Sequence, residues 1–102
     1  MQSDVQTDGG WGFVADHDSM ATIIDTVLDL DPGATYTRSE LADETGIALK
    51  TLHLMDDVDG VVDLGLLDEH DPEGEEVYYT VNEDSDVLAA AREFDRAVED
   101  AR

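Results

Sequence analysis

The stretch GIALKTLHLMDDVDG, residues 46–60, combines the spacing of an amphipathic helix with a lysine and a histidine. If its apolar side faces the core, the residues that point outward or lie beside that face are Ala48, Leu49, Lys50, Thr51, His53 and Asp57. A lysine can donate to a phosphate or a guanine edge, a histidine to a base or a phosphate, and a leucine can contact a thymine methyl group. Each side chain is equally compatible with an ordinary exposed surface. The three aspartates of the stretch oppose binding to a polyanion.

Catalysis and metal binding find little support in the residue types. The chain has no cysteine, which excludes disulfides, thiolate metal sites and a cysteine nucleophile. No nucleophile-and-base motif, Gly-rich phosphate loop or HExxH-like spacing is present, so we expect neither an enzyme nor a cofactor. Histidine and carboxylate ligands for Mn²⁺ or Zn²⁺ do occur in DHD (residues 16–18) and EHDPE (residues 69–73). In a chain with about a quarter acidic residues such neighbours arise by chance, and we predict no metal site.

Two helices are predicted before residues 46–60. Apolar residues at intervals of three and four predict a helix that starts at Asp18 or Ser19 and stops at DPG, residues 31–33. In TRSELADETG, Thr37 and Glu40 have the spacing of a capping box, and the final glycine, Gly46, suits a left-handed helix end. A helix of about two turns is therefore predicted there.

A longer helix and a hairpin are predicted next. The helix has one apolar stripe, made of Ile47, Leu52, Met55, Val58 and Val62. Gly60 weakens this helix near its end, and VVDLGLLDE then becomes extended. Residues 66–81, LLDEHDPEGEEVYYTV, are predicted as two strands joined by DPEG, with Val77, Tyr79 and Val81 on one face.

The two ends of the chain are predicted to differ. Residues 1–17 are polar and contain glycine, which predicts a flexible tail whose aromatic residues dock on the body as a hydrophobic plug. Residues 18–102 form the single domain. Its last helix, capped by Asp84 or Ser85, carries a seam of apolar residues at 4-3-4-3 spacing, namely Val87, Ala91, Phe94, Val98 and Ala101. Such a seam packs on its own domain or on a second copy, and we favour a dimer for so small a chain.

The composition is strongly acidic. Five Lys+Arg stand against 27 Asp+Glu, for a formal charge of −22 at pH 7, while the hydrophobic content of 41% is ordinary for a folded domain. Concentrated salt would screen the mutual repulsion, because the Debye length falls to about 3 Å at 1 M. The excess of Asp over Glu with a single Lys resembles the proteins of haloarchaea. The sequence shows no membrane span and no secretion signal, so we expect a soluble cytoplasmic protein.

The predicted elements and three sequence segments together resemble one family. The segments are SELADETGIALKTLHLM, DLGLLDE and YYTV, which occur in this order. They resemble the winged helix-turn-helix transcription regulators, especially the small dimeric MarR-like, ArsR-like and PadR-like proteins, over residues 20–101. The resemblance implies a mainly α fold with a small β-hairpin, in the order helix, helix, helix, hairpin, helix. Two departures are a longer spacing from Gly46 to Gly65 and the scarcity of Arg and Lys.

The resemblance implies a regulator that binds double-stranded DNA as a homodimer, on a pseudo-palindromic operator. The residues expected at DNA are Arg38, Ser39, Ala48, Leu49, Lys50, Thr51, His53, His70 and Gly74. The residues expected in the dimer are Val87, Ala91, Phe94 and Val98. Because the chain is so acidic, we expect bridging K⁺ or Na⁺ ions at the DNA interface.

An alternative interpretation uses the acidity directly. An acidic DNA mimic, or a winged-helix module for protein contacts, would present carboxylates where a regulator presents cations. Aspartates at 56, 57 and 59 and glutamates at 73, 75 and 76 favour this alternative. Acidic residues are found throughout the chain, however, as expected for salt adaptation.

Overall fold

The computed structural model describes residues 9–102 and is mainly helical, with a small antiparallel sheet. The elements in chain order are α1 (Gly10–Ala15), α2 (Met20–Asp29), β1 (Tyr36–Thr37), α3 (Arg38–Thr45), α4 (Leu49–Leu54), α5 (Asp57–Asp63), β2 (Leu67–His70), β3 (Tyr78–Val81) and α6 (Asp86–Ala101). The predicted mainly helical fold with a hairpin is confirmed at this level.

The core forms where α2 meets the other elements. Met20, Ile23 and Val27 on one side of α2 are buried, as the predicted apolar spacing requires. Ser19 is the N-cap residue of α2, although its side chain makes no capping hydrogen bond. The buried apolar residues contributed by the rest of the chain are Leu30, Leu41, Ala42, Leu52, Val58, Val61, Leu66, Leu67, Tyr79, Val81 and Leu88.

The capping box predicted for α3 is present. The Thr37 hydroxyl accepts from the Glu40 amide at 3.2 Å, and the Glu40 carboxylate accepts from the Thr37 amide at 2.9 Å. At the other end Gly46 has φ of 78°, a left-handed conformation that costs a glycine little. Its amide donates to the Ala42 carbonyl at 2.9 Å and closes the helix. Both ends of α3 are therefore encoded locally.

The single longer helix predicted from residue 47 is wrong. The chain is extended at Met55, with ψ of 155°, and this break separates α4 from α5. Its physical reason lies in long-range contacts. The carboxylate of Asp57 is buried and accepts from the Ser19 amide at 2.9 Å, and Gly60 packs against α1 and α2. These contacts rotate α5, so that Val61 is buried and Val62 only partly so.

The sheet has the strand order β1-β3-β2, and all its pairs are antiparallel. Leu67 lies opposite Val81 and His70 opposite Tyr78, which fixes the register of the predicted hairpin. Tyr79 and Val81 face the core, as predicted from the alternation. Strand β1 was not predicted because two residues are too short to show a periodicity.

The prediction of a tail over residues 1–17 is corrected by α1. Residues 10–15 are helical, and Phe13 and Val14 pack against the core. The predicted docking of aromatic residues therefore holds for Phe13, whereas Trp11 remains 67% exposed. Packing of the partly buried Phe13 against the core helps to hold this glycine-containing segment as a helix. The first eight residues of the predicted tail lie outside the described part of the chain.

Helix α6 begins where predicted and then leaves the core. Ser85 caps it by accepting from the Leu88 amide at 3.0 Å. Leu88 is the one residue of α6 that is buried, and every residue after Ala91 is exposed. Most of α6 therefore extends away from the body of the protomer.

Candidate nucleic-acid interface

The turn between α3 and α4 holds the two helices in a fixed pair. The Thr45 hydroxyl donates to the Ala42 carbonyl and accepts from the Ile47 amide, both at 3.2 Å. Helix α4 then begins at Leu49, with Ala48 as its N-cap residue. Buried Leu52 anchors α4 to the core. With one side of α4 anchored, its opposite side faces outward.

Five predicted site residues come together at α4. Ala48, Leu49, Lys50, Thr51 and His53 are all exposed, as the predicted stripe requires. Leu49 is 38% exposed, and Lys50 forms no ion pair within residues 9–102. Their chemistry suits a surface that offers cationic, hydroxyl and apolar groups to one ligand.

Leu54 is a further exposed residue of α4, which the sequence interpretation missed. It is 81% exposed, the largest value among the exposed large hydrophobic residues of the described chain. Helical spacing places Leu54 beside Lys50, four residues earlier. The predicted stripe was extended to Met55 and left the orientation of Leu54 open, so the break at residue 55 was needed to place it.

The surface of α4 coincides with an interruption in the acidity of the sequence. Thr45–Met55 contain no Asp or Glu, and these eleven residues are the longest such run in the chain. The second longest run has eight residues, 32–39, and leads into the first turn of α3. Both runs therefore lie in the α3 and α4 region. A search for gaps in the acidity would have found this signal in the sequence.

Two aspartates that follow α4 contact other parts of the protein. Asp57 is buried and binds the Ser19 amide. Asp59 lies 3.4 Å from the Arg38 guanidinium. Two of the three aspartates in residues 46–60 thus have structural partners on other elements. The charge of Asp59 is in part offset by the Arg38 guanidinium.

Arg38, predicted to contact phosphate, lies between three elements. It is the first residue of α3, pairs with Asp59 of α5 and lies beside the Tyr79 ring of β3, with its guanidinium carbon 5.8 Å from the ring centroid. Its side chain is 23% exposed. Part of its donor capacity is therefore used inside the protomer. Ser39, the next residue, is exposed in the first turn of α3, where backbone amides lack helical partners.

Tyr79 is fully buried below Arg38. Its hydroxyl makes no hydrogen bond of standard geometry among the described residues. Burial raises the pKa of the Tyr79 hydroxyl above its ordinary value of 10.0; the positive charge of Arg38 opposes this effect, and the carboxylates of Glu69 and Asp59 add to it. The phenol therefore stays neutral and supports Arg38 from beneath.

The last two predicted residues lie on the hairpin and have different environments. His70, at the end of β2, stacks on Tyr78 with ring centroids 4.7 Å apart, and its Nε2 lies 2.9 Å from the Thr80 hydroxyl. Gly74 is exposed in the loop between β2 and β3, with φ of 80°. The structure thus fixes His70 against the sheet and places Gly74 on the exposed loop.

Other classes of site have no counterpart in the described chain. No group of three or more His, Asp or Glu side chains in residues 9–102 is arranged to hold a metal ion. Within the same residues no helix combines the length and the apolar character needed to cross a membrane. Comparison of the chain with known protein families, curated proteins and solved structures finds no match.

Proposed function

We propose that this protein is a DNA-binding transcription regulator of the winged helix-turn-helix type, and that it acts in the cytoplasm as a homodimer. The observation that carries the proposal is the exposed side of α4, which lies in the longest run without acidic residues and holds Lys50, a lysine with no ion pair among residues 9–102. In a chain of net charge −22, such a surface is the part that a polyanion can approach most closely.

The arrangement of elements supports this function. Helices α3 and α4 with their tight turn correspond to the helix-turn-helix, and the β2–β3 hairpin corresponds to the wing. An α-helix fits the major groove, and residues near its N-terminal end reach base edges. Leu49 and Lys50 occupy that end of α4, with Thr51 and His53 following. The loop at Gly74 is the part of the wing that reaches the backbone or the minor groove.

The break after α4 limits the contact but does not prevent it. Six helical residues span about 9 Å at 1.5 Å per residue, which matches about three base pairs. A dimer doubles this contact. Two α4 helices related by a two-fold axis would meet half-sites about one helical turn apart, so the operator is pseudo-palindromic.

Cations complete the interface in this proposal. Lys50 is accompanied by Arg38, whose guanidinium already pairs with Asp59, so few protein cations face the DNA. K⁺ or Na⁺ ions bridge the carboxylates around α4 and the phosphates. Such ions are plentiful in the salt-rich cytoplasm that the acidic composition suggests.

The absence of Asp and Glu from Thr45–Met55, which we call the acid-free run, also weighs against a DNA mimic. A mimic needs carboxylates on the surface that contacts its partner, whereas Thr45–Met55 have none. Helix α4 presents Leu49, Lys50, His53 and Leu54 to the solvent instead. A protein that binds basic partners through its carboxylates gains nothing from an exposed helix that lacks them.

The test is recovery of DNA bound to the full-length chain in cells grown at molar salt, by crosslinking and sequencing. We expect enrichment of a pseudo-palindromic sequence. Thr51→Asp introduces one acidic residue into α4 and should abolish the enrichment. Ala89→Asp adds the same charge to the exposed side of α6 and should leave it unchanged. Recovery of a basic protein with no enriched DNA would replace this function by the mimic.

A further inference from the structure

An apolar groove of about 640 Å³ lies between α1, α2 and α6. Small-molecule sites in proteins commonly have volumes of about 300–1,000 Å³, with mostly apolar walls and a few polar groups. The wall of this groove includes Ile24 and Leu28 from α2 and Val87 and Val98 from α6. The groove therefore has the size and the lining of a site for a small molecule.

Two aromatic rings belong to the groove wall, one from α1 and one from α6. The Trp11 and Phe94 rings meet edge to face, with centroids 5.0 Å apart and planes inclined by 61°. Trp11 is 67% exposed and Phe94 52% exposed, so a ligand in the groove can reach both rings. The face of an aromatic ring attracts a cation within about 6 Å of its centroid, and more strongly where water is excluded.

Two carboxylates also belong to the groove wall. Asp25 lies on α2 and Asp95 on α6, and neither forms an ion pair among residues 9–102. No Lys, Arg or His of the described chain lies in the wall, since Arg92 and Arg96 of α6 pair with glutamates outside it. Carboxylates on two sides of an apolar groove favour a cationic ligand. The net charge of −22 further excludes an apolar anion.

The apolar wall distinguishes an organic cation from K⁺ and Na⁺. Asp25 and Asp95 are exposed, so their attraction for any cation is weakened by solvent and by concentrated salt. A hydrated inorganic ion gains nothing more from the groove. An organic cation also buries its apolar body against the wall, and salt does not screen this contribution. The groove therefore selects a ligand that is both apolar and positively charged.

We propose that the groove binds a small organic cation with an apolar or aromatic body, of the class of quaternary ammonium or phosphonium ions. The body lies against the aromatic rings of Trp11 and Phe94 and the apolar wall, while Asp25 and Asp95 attract the charge. The three helices of one protomer form the whole site, and ligand binding does not depend on DNA binding.

The site shares side chains with the predicted dimer. The residues expected between two copies, Val87, Ala91, Phe94 and Val98, all belong to the groove wall. A bound cation and a second copy therefore compete for the same surface. In the proposed regulator this competition would separate the two α4 helices and release the operator, so the cation would act as an inducer. Only this regulatory consequence rests on the proposed function.

The test compares two ions of the same shape and opposite charge, tetraphenylphosphonium and tetraphenylborate, with the full-length chain in molar NaCl. Emission of Trp11, the single tryptophan, reports binding in the groove. We expect a saturable blue shift with the phosphonium ion, because the ligand displaces water from the Trp11 ring. Its dissociation constant should be at least about tenfold lower than that of the borate ion. Isothermal titration calorimetry measures both affinities.

Two pairs of substitutions test the carboxylates. Asp25→Asn combined with Asp95→Asn should raise the dissociation constant of the phosphonium ion at least about fivefold. Asp29→Asn combined with Asp100→Asn is the matched control, because it removes the same charge from exposed positions on the same two helices outside the groove wall. The control should change the dissociation constant by less than about twofold. Circular dichroism checks that both double variants fold.

Four results would overturn the proposal: no saturable change in the Trp11 emission, equal binding of the two ions, equal weakening by the two pairs of substitutions, or a dimer in sedimentation that keeps the phosphonium ion out. Equal weakening would show a response to net charge alone, and an excluding dimer would assign the groove to a second copy. A protein that binds DNA but no phosphonium ion would lose this site and keep the proposed function. A protein that binds the ion but no DNA would do the reverse.

Discussion

Lys50 is the residue on which the proposed DNA surface of α4 depends most directly. It is exposed, lies in the acid-free run and forms no ion pair within residues 9–102. Lys50→Ala removes the one positive side chain of α4, and we expect operator affinity to fall about tenfold, as for loss of a phosphate or guanine contact of about 1–3 kcal/mol. Fluorescence anisotropy with a labelled operator measures this change.

Arg102→Ala is the matched control for Lys50→Ala. It makes the same change of charge at the exposed end of α6, where Arg102 also forms no ion pair in the described part of the chain. We expect it to leave operator affinity within twofold of the wild type. Equal losses in the two variants would show that only net charge matters, and unchanged affinity in Lys50→Ala would mean that the DNA surface is elsewhere.

Tyr79 offers a second prediction at the residue scale. Its buried hydroxyl makes no standard hydrogen bond among the described residues, and an unsatisfied buried polar group costs about 1–3 kcal/mol. Tyr79→Phe should therefore leave the free energy of unfolding unchanged or raise it by about 1 kcal/mol. Tyr78→Phe makes the same change at the partly exposed neighbouring tyrosine and should have no effect beyond a few tenths of a kcal/mol. Urea denaturation in molar KCl measures the free energy of unfolding of the two variants and of the wild type.

The pH dependence of the stability of Tyr79→Phe tests whether the buried phenol has a raised pKa. Because the folded-state pKa of Tyr79 is raised, the folded protein keeps the phenol proton at pH values where the unfolded chain loses it. Its contribution to stability is complete below about pH 10 and declines as the pH rises toward the folded-state pKa. Tyr79→Phe should lose less stability than the wild type above pH 10. Parallel curves for the two proteins would contradict the burial of an ionisable phenol.

At the scale of elements, α5 depends on a glycine. A Cβ at Gly60 would lie 2.8 Å from Met20 Cε and 3.3 Å from Phe13 Cζ. Gly60→Ala gains up to about 1 kcal/mol of helix propensity but crowds this contact, at a cost of about 1–3 kcal/mol. We expect a net loss of about 1 kcal/mol in the free energy of unfolding, measured by urea denaturation.

Gly10→Ala separates propensity from packing. Gly10 is the first residue of α1, and no atom lies within 4 Å of a Cβ placed there. This variant should be neutral or stabilised by a few tenths of a kcal/mol. Equal stabilisation by Gly60→Ala would contradict the close packing of α5 on α1 and α2.

The elements that were predicted from sequence are those with local signals. The box of Thr37 and Glu40, the left-handed Gly46 and the Ser85 cap act within a few residues, and all are present. The break at Met55 depends instead on contacts with residues far away in sequence, such as Asp57 with Ser19. Helix α1 likewise depends on tertiary packing of Phe13. Periodicity alone does not report such contacts.

The candidate site divides in the same way. The exposed residues of α4 followed from one buried stripe, because Leu52 is buried as expected. The engagement of Arg38 with Asp59 and Tyr79 did not follow, since it joins three elements that are distant in sequence. The role of Leu54 required the end of α4 to be known. The local sequence pattern thus predicted which residues of α4 are exposed. Tertiary contacts determine how far a cation such as Arg38 is available to bind a ligand.

At the scale of the whole molecule, charge is distributed unevenly over the fold. The eleven residues Thr45–Met55 hold one lysine and no acidic residue, whereas the rest of the chain holds four cations and 27 acidic residues. This exception coincides with the exposed apolar side chains of α4, Leu49 and Leu54. An acidity that serves only adaptation to salt gives no reason to spare this run. The proposed regulator needs such a run, because this is the surface with which it would approach DNA.

This distribution leads to a prediction for the effect of salt on DNA binding. An ordinary regulator with 6–10 phosphate contacts releases counterions and loses about 10³–10⁵ in affinity between 50 and 200 mM salt. Here α4 supplies one lysine, and the surrounding carboxylates must be screened or bridged before the phosphates can approach. Because the proposed binding takes up cations, we expect the specific affinity to rise, or at least not to fall, from moderate to molar KCl. Fluorescence anisotropy with the operator and a scrambled duplex measures the specific part, while circular dichroism over the same range excludes unfolding at low salt. A steep conventional loss of affinity in a protein that stays folded would rule out cation bridging and, with it, the interpretation of this chain as a regulator adapted to high salt.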